Sequence, residues 1–487
     1  MADSITTLSY AIRPLVVVKY LGQLTGVFAI LMTIPLLVAL AVGEFSMGLN
    51  YTILIALLLL AAFPTRFVPQ QQQIHPNEAM VISALIFIIS SGVMVYPGVA
   101  IGIAPIDALF ESVSGITTTG LTTLATLEDK PHSFLFARAW LQWCGGLGIV
   151  VLSIAFLGGH QTSAHRLMES IGGETLDTTA RTYARRMLAI YLALTIIGFV
   201  LIWWLLGDAF AALTHALAAI STGGFSPNDA SLAAVEGWGS RYSIIMVGLF
   251  GALPLPLFYF AFRQRFREIF EDMELRTLLL VCLITCIAIC LSLWRIAGHD
   301  WLNALENGFL LGLSAQTTTG FTSLPIQELD DVSKINLIIS MFVGGGMAST
   351  AGGVKILRLL ILLRLIQIFI QRTSMPPHAV SKPRLGGKSL ESDEIQRATV
   401  LILLYLGITM GSWICFIVYG YAPLDALFEV VSAIGTVGLS SGISSPELEP
   451  FLKLLLCFDM LAGRLEIIAL LVLCYPRTWF GKRVKEY

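Results

Sequence analysis

The chain has 487 residues, of which 56% are hydrophobic and only 13% are charged. A water-soluble domain of this size needs a more polar surface, so the composition excludes a soluble globular protein and predicts an integral membrane protein. The net charge of −2 gives no indication of nucleic acid binding, and no nucleic acid partner is expected.

Ten apolar runs follow in chain order as candidate spans of a hydrocarbon core about 30 Å thick. They lie near residues 17–42, 48–64, 79–96, 134–158, 183–206, 242–262, 276–296, 335–371, 395–419 and 450–475. The first is too long for a signal peptide and is expected to be an uncleaved helix. The eighth is too long for one span and is interrupted by GGGMASTAGG at 344–353.

Basic residues concentrate in alternate loops, for example at Arg185, Arg267 and Arg384. The other loops carry few, such as Lys130 and Arg241. Because positive charge is retained on the cytoplasmic side of a membrane, this asymmetry predicts that both termini are cytoplasmic.

Four outer loops each contain a short apolar helix of about twelve residues, or about 18 Å, which is too short to cross the bilayer. Each is followed by a cluster that we call a glycine segment: TTTGLT at 117–122, STGGFS at 221–226, TTTGFT at 317–322 and GTVGLS at 435–440. All four have threonine in the second column and glycine in the fourth. In addition, APIDALFESVSGI at 104–116 aligns without a gap to APLDALFEVVSAI at 422–434. Such internal repeats indicate four related structural units.

Irregular backbone is tolerated at membrane depth where it lines a watery cavity. Glycine lets such a strand turn its carbonyls inward, and threonine adds hydroxyl oxygens. Four strands around one axis could therefore replace the hydration shell of a cation with neutral oxygens, helped by the partially negative C-terminal ends of the short helices. The candidate ion-binding residues are Thr117, Thr118, Thr119, Gly120, Ser221, Thr222, Gly223, Gly224, Thr317, Thr318, Thr319, Gly320, Gly435, Thr436, Val437 and Gly438. The alternative is four ordinary turns between spans, which the matching columns disfavour.

The interruption at 344–353, which we call the inner loop, is the candidate gate. Glycine, serine and threonine between two apolar halves permit a non-helical crossing, which belongs in a cavity beneath the glycine segments. The candidate gate residues are Gly344, Gly345, Gly346, Ser349, Thr350, Gly352 and Gly353. A plain flexible kink is the alternative.

Arg464 lies in the middle of the last apolar run, where a charge is costly and usually functional. One hypothesis is that it tunes cation passage near the inner cavity by repulsion or by pairing. The alternative is a structural ion pair with Asp459, Glu466 or a carboxylate on a short helix.

Glu111 and Glu429 occupy equivalent places in two short helices. They could anchor the glycine segments by accepting amide hydrogens, or they could attract cations. Anchoring is favoured because both residues lie within helices and not at the mouth. Arg138 and Gln142, one turn apart on the next helix, are candidate partners for such carboxylates.

Cys282, Cys286 and Cys290 lie on one face of a predicted helix. Either they pack between helices, as small polarisable side chains do, or they bind a metal. The chain contains no nucleophile–base pair and no zinc-protease motif, so a membrane enzyme is not expected.

With these motifs the sequence resembles the TrkH/KtrB/HKT potassium transporter superfamily, and its two extra N-terminal spans make it most similar to the TrkH branch. RAWLQWCGGLGIVV at 138–151, GGGMASTAGGVKILR at 344–358 and MLAGRLEI at 460–467 resemble the family's inner helices. The chain departs from the family at Ala348, where many relatives have glycine. Gly435 and Val437 also differ from the threonines of segments 1 and 3, so a truly four-fold pore is not expected.

The resemblance implies potassium uptake across the bacterial inner membrane, with K⁺ held at Thr118, Thr222, Thr318 and Thr436. In this family, glycine in all four fourth-column positions is associated with selectivity for potassium. It also implies a homodimer in the lipid bilayer and a cytosolic ring of TrkA-type subunits that bind nucleotide and gate the pore. No organic cofactor is expected in this chain.

The expected fold is therefore an all-α integral membrane protein with four pseudo-symmetric span–pore-helix–span repeats around one pore. The predicted organisation is two N-terminal helices in 1–70 and repeats in 71–160, 161–270, 271–373 and 374–487. Three energetic schemes stay open: permeation driven by the membrane potential, coupling to sodium or protons, or a role as the ion-translocating subunit of an ATP-driven pump.

Overall fold

The computed structural model describes residues 11–69, 74–157, 176–262, 266–374, 376, 383–386 and 388–480. Within these ranges the chain is built from α-helices, together with one hairpin of two-residue strands. In the hairpin, β1 (Arg384–Leu385) pairs antiparallel with β2 (Lys388–Ser389). The predicted boundaries at 70/71 and 160/161 lie outside the described residues.

Two N-terminal spans precede the first repeat. The first consists of α1 (Pro14–Leu31) followed directly by α2 (Thr33–Val42), and the second is α3 (Phe45–Ala62), which packs against both. Gly43 ends α2 in the left-handed conformation, with φ +82°, which a residue without a Cβ adopts at little cost.

The rest of the chain repeats one pattern of a long outer helix, a short central helix and an inner helix. Repeat 1 contains α4 (Pro76–Ala100), α5 (Pro105–Ile116) and α6 (His132–Leu157), and repeat 2 contains α7 (Leu176–Leu206), α8 (Ala209–Ile220), α9 (Trp238–Ala252) and α10 (Leu255–Phe262). Repeat 3 contains α11 (Phe266–Glu271), α12 (Met273–Arg295), α13 (Trp301–Gln316), α14 (Asp331–Val343) and α15 (Ile356–Arg372). Repeat 4 contains α16 (Ser392–Val418), α17 (Pro423–Ile434), α18 (Pro450–Arg464) and α19 (Ile468–Cys474), and α20 (Pro476–Phe480) follows. The predicted domain boundaries stay a prediction, and the one at 270/271 falls inside α11.

The short helices begin where local sequence favours a helix start. α5 and α17 open with Pro105 and Pro423, and an acidic residue lies in the first turn of each. The fixed φ of proline and the attraction of a carboxylate for the positive helix end both favour this position. α8 begins at Ala209 and is capped instead by Asp208, whose carboxylate accepts the Phe210 amide at 2.8 Å.

Each short helix also packs against the inner helix of the preceding repeat, which arranges the repeats in a ring. α8 contacts α6, α13 contacts α9, and α17 contacts α14. α5 contacts α18, so repeat 4 closes back onto repeat 1. The short helices therefore lie at the centre, where Phe110 and Phe428 are fully buried.

The outer surface is apolar, as lipid contact requires. Trp204 and Val418 are 79% and 77% exposed, on two of the long helices. In the described part of the chain, seven helical segments are long and apolar enough to cross a membrane when α1 and α2 are counted as one, and a bent pair makes an eighth.

Besides the short interruption at Met32 between α1 and α2, three of the ten predicted spans are broken, and the sequence predicted only one of these three breaks. The expected break in 335–371 separates α14 from α15. The expectation of continuous spans at 242–262 and 450–475 is wrong. α9 and α10 meet at a 96° bend beside Pro254, and α18 ends before Glu466 and Ile467, which both have positive φ. Proline and left-handed residues both interrupt the helical hydrogen-bond ladder.

The cysteines of α12 pack against a neighbouring helix. Gly308 and Gly312 of α13 leave room for Cys290 and Cys286, and a Cβ on either glycine would come within 3 Å of the cysteine backbone. All three thiols on this face are free, and no cluster of metal ligands occurs among the described residues. Small residues allow two helices in a membrane to approach closely, so these contacts agree with the interpretation that the cysteines pack between helices.

Candidate functional site: a closed ring of four glycine segments

The four glycine segments meet in a closed ring. The fourth-column glycine of each segment lies against the third-column carbonyl of the next, so that an added Cβ would overlap its oxygen. The pairs are Gly120 with Gly223 O, Gly224 with Thr319 O, Gly320 with Val437 O, and Gly438 with Thr119 O. Their φ values of +92°, +76°, +78° and +96° add a second reason for glycine.

The second-column threonines also adopt the left-handed conformation. Their φ values are 54°, 52°, 54° and 49° for Thr118, Thr222, Thr318 and Thr436. A β-branched residue in this region is an outlier that costs roughly 1–3 kcal/mol. The sequence assigned unusual backbone to the glycines alone, and nothing in the residue type of threonine indicates this conformation. Strain repeated at four equivalent positions is typical of a functional site.

Bonds from the short helices hold the strained backbone. Gly120 N donates to Ser114 Oγ at 3.0 Å, and Gly438 N donates to Ser432 Oγ at 3.1 Å. These serines are equivalent residues of α5 and α17, so the first and fourth segments are supported in the same way.

Glu111 and Glu429 anchor the segments, as the sequence favoured. Glu111 Oε1 accepts the Thr123 amide at 3.0 Å and the Thr122 hydroxyl at 2.6 Å. Glu429 accepts the Ser441 amide at 2.9 Å and the Ser440 hydroxyl at 2.9 Å. Both carboxylates are buried behind the segments, where accepting these hydrogen bonds compensates for their burial.

His215 performs the equivalent task in repeat 2, and the sequence did not single it out. It lies nine residues before its segment glycine, as Glu111 does before Gly120, so the column alignment extended upstream would have found it. Its Nδ1 lies 2.7 Å from Ala211 O and must donate there, so Nε2 accepts the Ser226 hydroxyl at 3.2 Å.

The two candidate partners on α6 have different roles. Arg138 pairs with Glu111, with 2.8 Å between Nη2 and Oε2, as predicted. Its guanidinium also lies over the Phe225 ring of segment 2, 3.8 Å from the ring centroid. Gln142 binds no carboxylate among the residues that the structure describes, and instead contacts the backbone of segment 2 at Gly223.

The inner loop lies directly against the ring. Gly352 N donates to Thr318 Oγ1 at 2.8 Å, and Gly353 N donates to Gly435 O at 3.1 Å. Thr350 Oγ1 donates to Ile220 O at 3.1 Å, at the end of the short helix that leads into segment 2. Three repeats therefore contact this loop.

The remaining candidate gate residues shape the loop. Gly345 N donates to Gly352 O at 3.3 Å, and Gly346 N donates to Ala252 O at 3.2 Å. Ser349 Oγ caps the turn on Gly346 O at 2.6 Å. Gly344 O accepts the Gln316 side chain at 2.6 Å.

Ala348, the departure from the family pattern, lies in the same loop. It is 4% exposed and has φ +55°. The left-handed region favours glycine, so Ala348 adopts this backbone conformation at a cost in free energy that glycine would not incur.

Arg464 contacts the inner loop through its backbone. Nη1 donates to Thr350 O at 2.6 Å, and Nη2 donates to Gly145 O of α6 at 3.2 Å. The Arg464 side chain is buried, and its Nε has no hydrogen-bond partner among the described residues. Its charge therefore lies beside the loop, and no carboxylate in the described ranges pairs with it.

The alternative of a structural ion pair for Arg464 is wrong. Glu466 pairs with Arg358 at 2.6 Å and lies 3.7 Å from Lys355. Asp459 accepts the Ser412 hydroxyl at 2.8 Å. Across the described ranges, neither carboxylate nor one on a short helix forms a salt bridge with Arg464.

Comparison with known proteins identifies relatives over almost the whole chain. A family model described as TrkH, cation transport protein, matches residues 50–478. The Trk system potassium uptake protein TrkH of Escherichia coli K12 is 29% identical over 479 residues, covering 95% of this chain and 99% of the relative. An uncharacterized cation transporter of Methanocaldococcus jannaschii is 30% identical over 462 residues, covering 94% of each.

A solved structure has the same fold. The crystal structure of the potassium transporter TrkH from Vibrio parahaemolyticus superimposes with a TM-score of 0.85 at 27% identity, covering 96% of this chain and 100% of the other. The all-α membrane fold predicted from the sequence is thereby confirmed.

Proposed function

Because this chain belongs to the TrkH family of cation transport proteins, we propose that it takes up potassium into a bacterial cell through the ring of glycine segments. The family consists of transporters, so the chain is not an enzyme. The observation that carries the proposal is the closed ring, in which four equivalent glycines each lie against a carbonyl of the next segment. Such a ring supplies carbonyl oxygens to a partly dehydrated cation.

The proposed K⁺ ligands include the second-column threonines. Thr118 Oγ1 and Thr436 Oγ1 are buried and have no hydrogen-bond partner in the described part of the chain. Thr318 Oγ1 accepts Gly352 N, and Thr222 Oγ1 donates to Ser221 O. Buried hydroxyls are normally paired, so two unpaired oxygens at equivalent positions of the ring support an ion site there.

The inner loop is the proposed gate. It is hydrogen-bonded to segments 3 and 4 through Thr318 and Gly435, so a cation leaving the ring inward meets it next. Arg464 holds the loop at Thr350 O and places a positive charge beside the same path. Opening therefore requires the loop to leave these contacts, and the charge disfavours cations while it is closed.

A cytosolic partner is proposed to move this loop. The family resemblance implies a ring of TrkA-type nucleotide-binding subunits, a homodimer and location in the bacterial inner membrane. The excess of basic residues in alternate loops supports cytoplasmic termini on the side where such a ring would bind. The driving force in this proposal is the membrane potential, worth about 2.3 kcal/mol per charge per 100 mV.

The test is cation flux from liposomes that contain the purified protein. The flux of potassium is compared with the fluxes of rubidium, sodium and lithium, each with and without the cytosolic ring. Gly120→Ser is measured alongside, because its side chain would overlap Gly223 O. Fast potassium and rubidium flux, poor sodium flux and loss of this preference in the variant are expected. Flux that is indifferent to Gly120→Ser, or no flux even with the ring, contradicts the proposal.

A further inference from the structure

The third column of the glycine segments is not uniform: it holds threonine in segments 1 and 3, Gly223 in segment 2 and Val437 in segment 4, so segment 2 alone of the four has no side chain there. In segments 1 and 3 the column holds Thr119 and Thr319, whose hydroxyls bond to the first-column threonines of the same segments at 2.8 Å and 2.5 Å. Segment 2 has Gly223 there, which has no side chain to brace its own strand.

The space beside Gly223 is filled by Gln142 from the inner helix of repeat 1. A Cβ built on Gly223 would overlap the Gln142 amide group. Gln142 Nε2 donates to Gly223 O at 2.5 Å, and its Oε1 accepts Phe225 N at 3.2 Å. The side chain is fully buried, and both ends of its amide are used.

In the next repeat, the inner helix also contacts the third column of the following segment, but here the helix supplies the small residue and the segment the large one. Gly248 on α9 is equivalent to Gln142, because each lies three residues before a glycine that packs on the last carbonyl of a short helix. A Cβ on Gly248 would lie 2.7 Å from Thr319 Oγ1. The inner helix and the third column thus form reciprocal pairs, large with small: Gln142 with Gly223, and Gly248 with Thr319.

Gly223 O is also the carbonyl that faces Gly120 in the ring. Among the described residues, the equivalent oxygens of Thr119, Thr319 and Val437 accept no hydrogen bond. One of the four third-column carbonyls is therefore held by a side chain, and the other three are held only by their strands.

We propose that Gln142 is a specificity-determining positioning residue that fixes the Gly223 carbonyl at the distance suited to a potassium-sized cation. A carbonyl tethered by an amide cannot move inward to coordinate the smaller sodium ion, so the tether raises the preference for potassium. This inference rests on the proposed function of the ring as a potassium filter.

The experiment compares Gln142→Met with wild type and with Gln367→Met, which changes an exposed glutamine on α15. Methionine keeps the volume but removes both hydrogen bonds. The first readout is the potassium-to-sodium flux ratio in liposomes with the cytosolic ring. The second is the rise in melting temperature of detergent-solubilised protein on titration with each ion, which does not depend on the gate.

In Gln142→Met we expect two quantities to fall roughly three- to tenfold, which is the effect of one or two lost hydrogen bonds. They are the potassium-to-sodium flux ratio and the ratio of the apparent affinities for the two ions from the melting-temperature titrations. Gln367→Met should leave them at the wild-type value. Unchanged ratios in a folded Gln142→Met protein overturn the inference alone. A wild type that neither carries nor binds potassium in preference to sodium overturns the proposed function, and this inference with it.

A double variant keeps the inference testable if Gln142→Met does not fold. Gly223→Thr should clash with Gln142, whereas Gly223→Thr with Gln142→Gly reproduces the Gly248–Thr319 pair. The double variant is expected to recover folding, but because it lacks the Gln142 amide its potassium-to-sodium ratio should stay roughly three- to tenfold below that of the wild type. A folded double variant with the wild-type ratio overturns the inference.

Discussion

Lys453 Nζ donates to Asp107 Oδ1 at 2.6 Å and joins two residues that are 346 positions apart in the sequence. The bond ties the inner helix of repeat 4 to the first turn of the short helix of repeat 1. Lys334 and Asp425 make the same connection between repeats 3 and 4, at 2.8 Å. These two ion pairs tie the short helices of repeats 1 and 4 to the inner helices that pack against them.

Lys453→Met should therefore destabilise the ring. The Lys453 side chain is 3% exposed, and removing one partner of a buried pair costs about 3–5 kcal/mol because the other charge loses its compensation. The melting temperature in detergent measures the effect. The matched control is Lys130→Met, which breaks an exposed pair with Asp129 and should cost little, because water and salt screen exposed charges. Equal shifts for the two variants would contradict this role.

Gly438→Ala tests the close approach within the ring. An added Cβ would overlap Thr119 O, so segments 4 and 1 must separate and the potassium preference should fall at least about tenfold. Gly420→Ala is the control, since Gly420 has a similar φ of +91° but no atom within 4 Å of the added Cβ. It should lose about 1–2 kcal/mol of stability with unchanged ion selectivity. The measurement is the potassium-to-sodium flux ratio, and a selective Gly438→Ala would count against the ring.

Equivalent carboxylates should differ in their contribution to stability. Glu111→Gln leaves the Arg138 charge buried and uncompensated, so a loss of about 3–5 kcal/mol is expected. Glu429 is held by hydroxyl and amide donors, and Glu429→Gln should cost only about 1–3 kcal/mol. Melting temperatures compare the two. Glu111→Gln with Arg138→Met should recover part of the loss, and the absence of any recovery would show that the pair is not its source.

Arg464→Met should loosen the inner loop. It removes the donors to Thr350 O and Gly145 O together with the charge, so potassium flux without the cytosolic ring should rise roughly tenfold. Arg464→Lys keeps the charge but cannot bond both carbonyls, and thus separates repulsion from loop anchoring. Flux and expression at wild-type levels in Arg464→Met would refute a gating role.

Ala348→Gly should stabilise the protein. Relief of the left-handed conformation at φ +55° outweighs the added backbone freedom of glycine, for a net gain of about 0.5–1 kcal/mol. Ala351→Gly is the control in the same loop. Its φ is not positive, so it should lose about 0.5–1 kcal/mol. A melting temperature that falls in both variants would disprove the strain at Ala348.

The sequence by itself determined the local structure of each repeat. Apolar runs, helix-start signals such as Pro105 with Asp107, and the shared columns of the glycine segments all act within one stretch of chain. Even the anchoring role of Glu111 was predictable, because a helix residue eleven positions before Thr122 lies within reach of the segment that follows its helix.

Only the tertiary structure decided which repeat touches which, and what those contacts require. The pairing of Gly438 with Thr119, of Lys453 with Asp107 and of Arg464 with Thr350 joins residues between 114 and 346 positions apart. The left-handed conformation of the second-column threonines was also decided by the tertiary structure, because this strain persists only while neighbouring strands hold the residues in place. Local helix and turn propensities depend on neighbouring residues and do not indicate such distant partners. These contacts form only when four similar units pack around one axis.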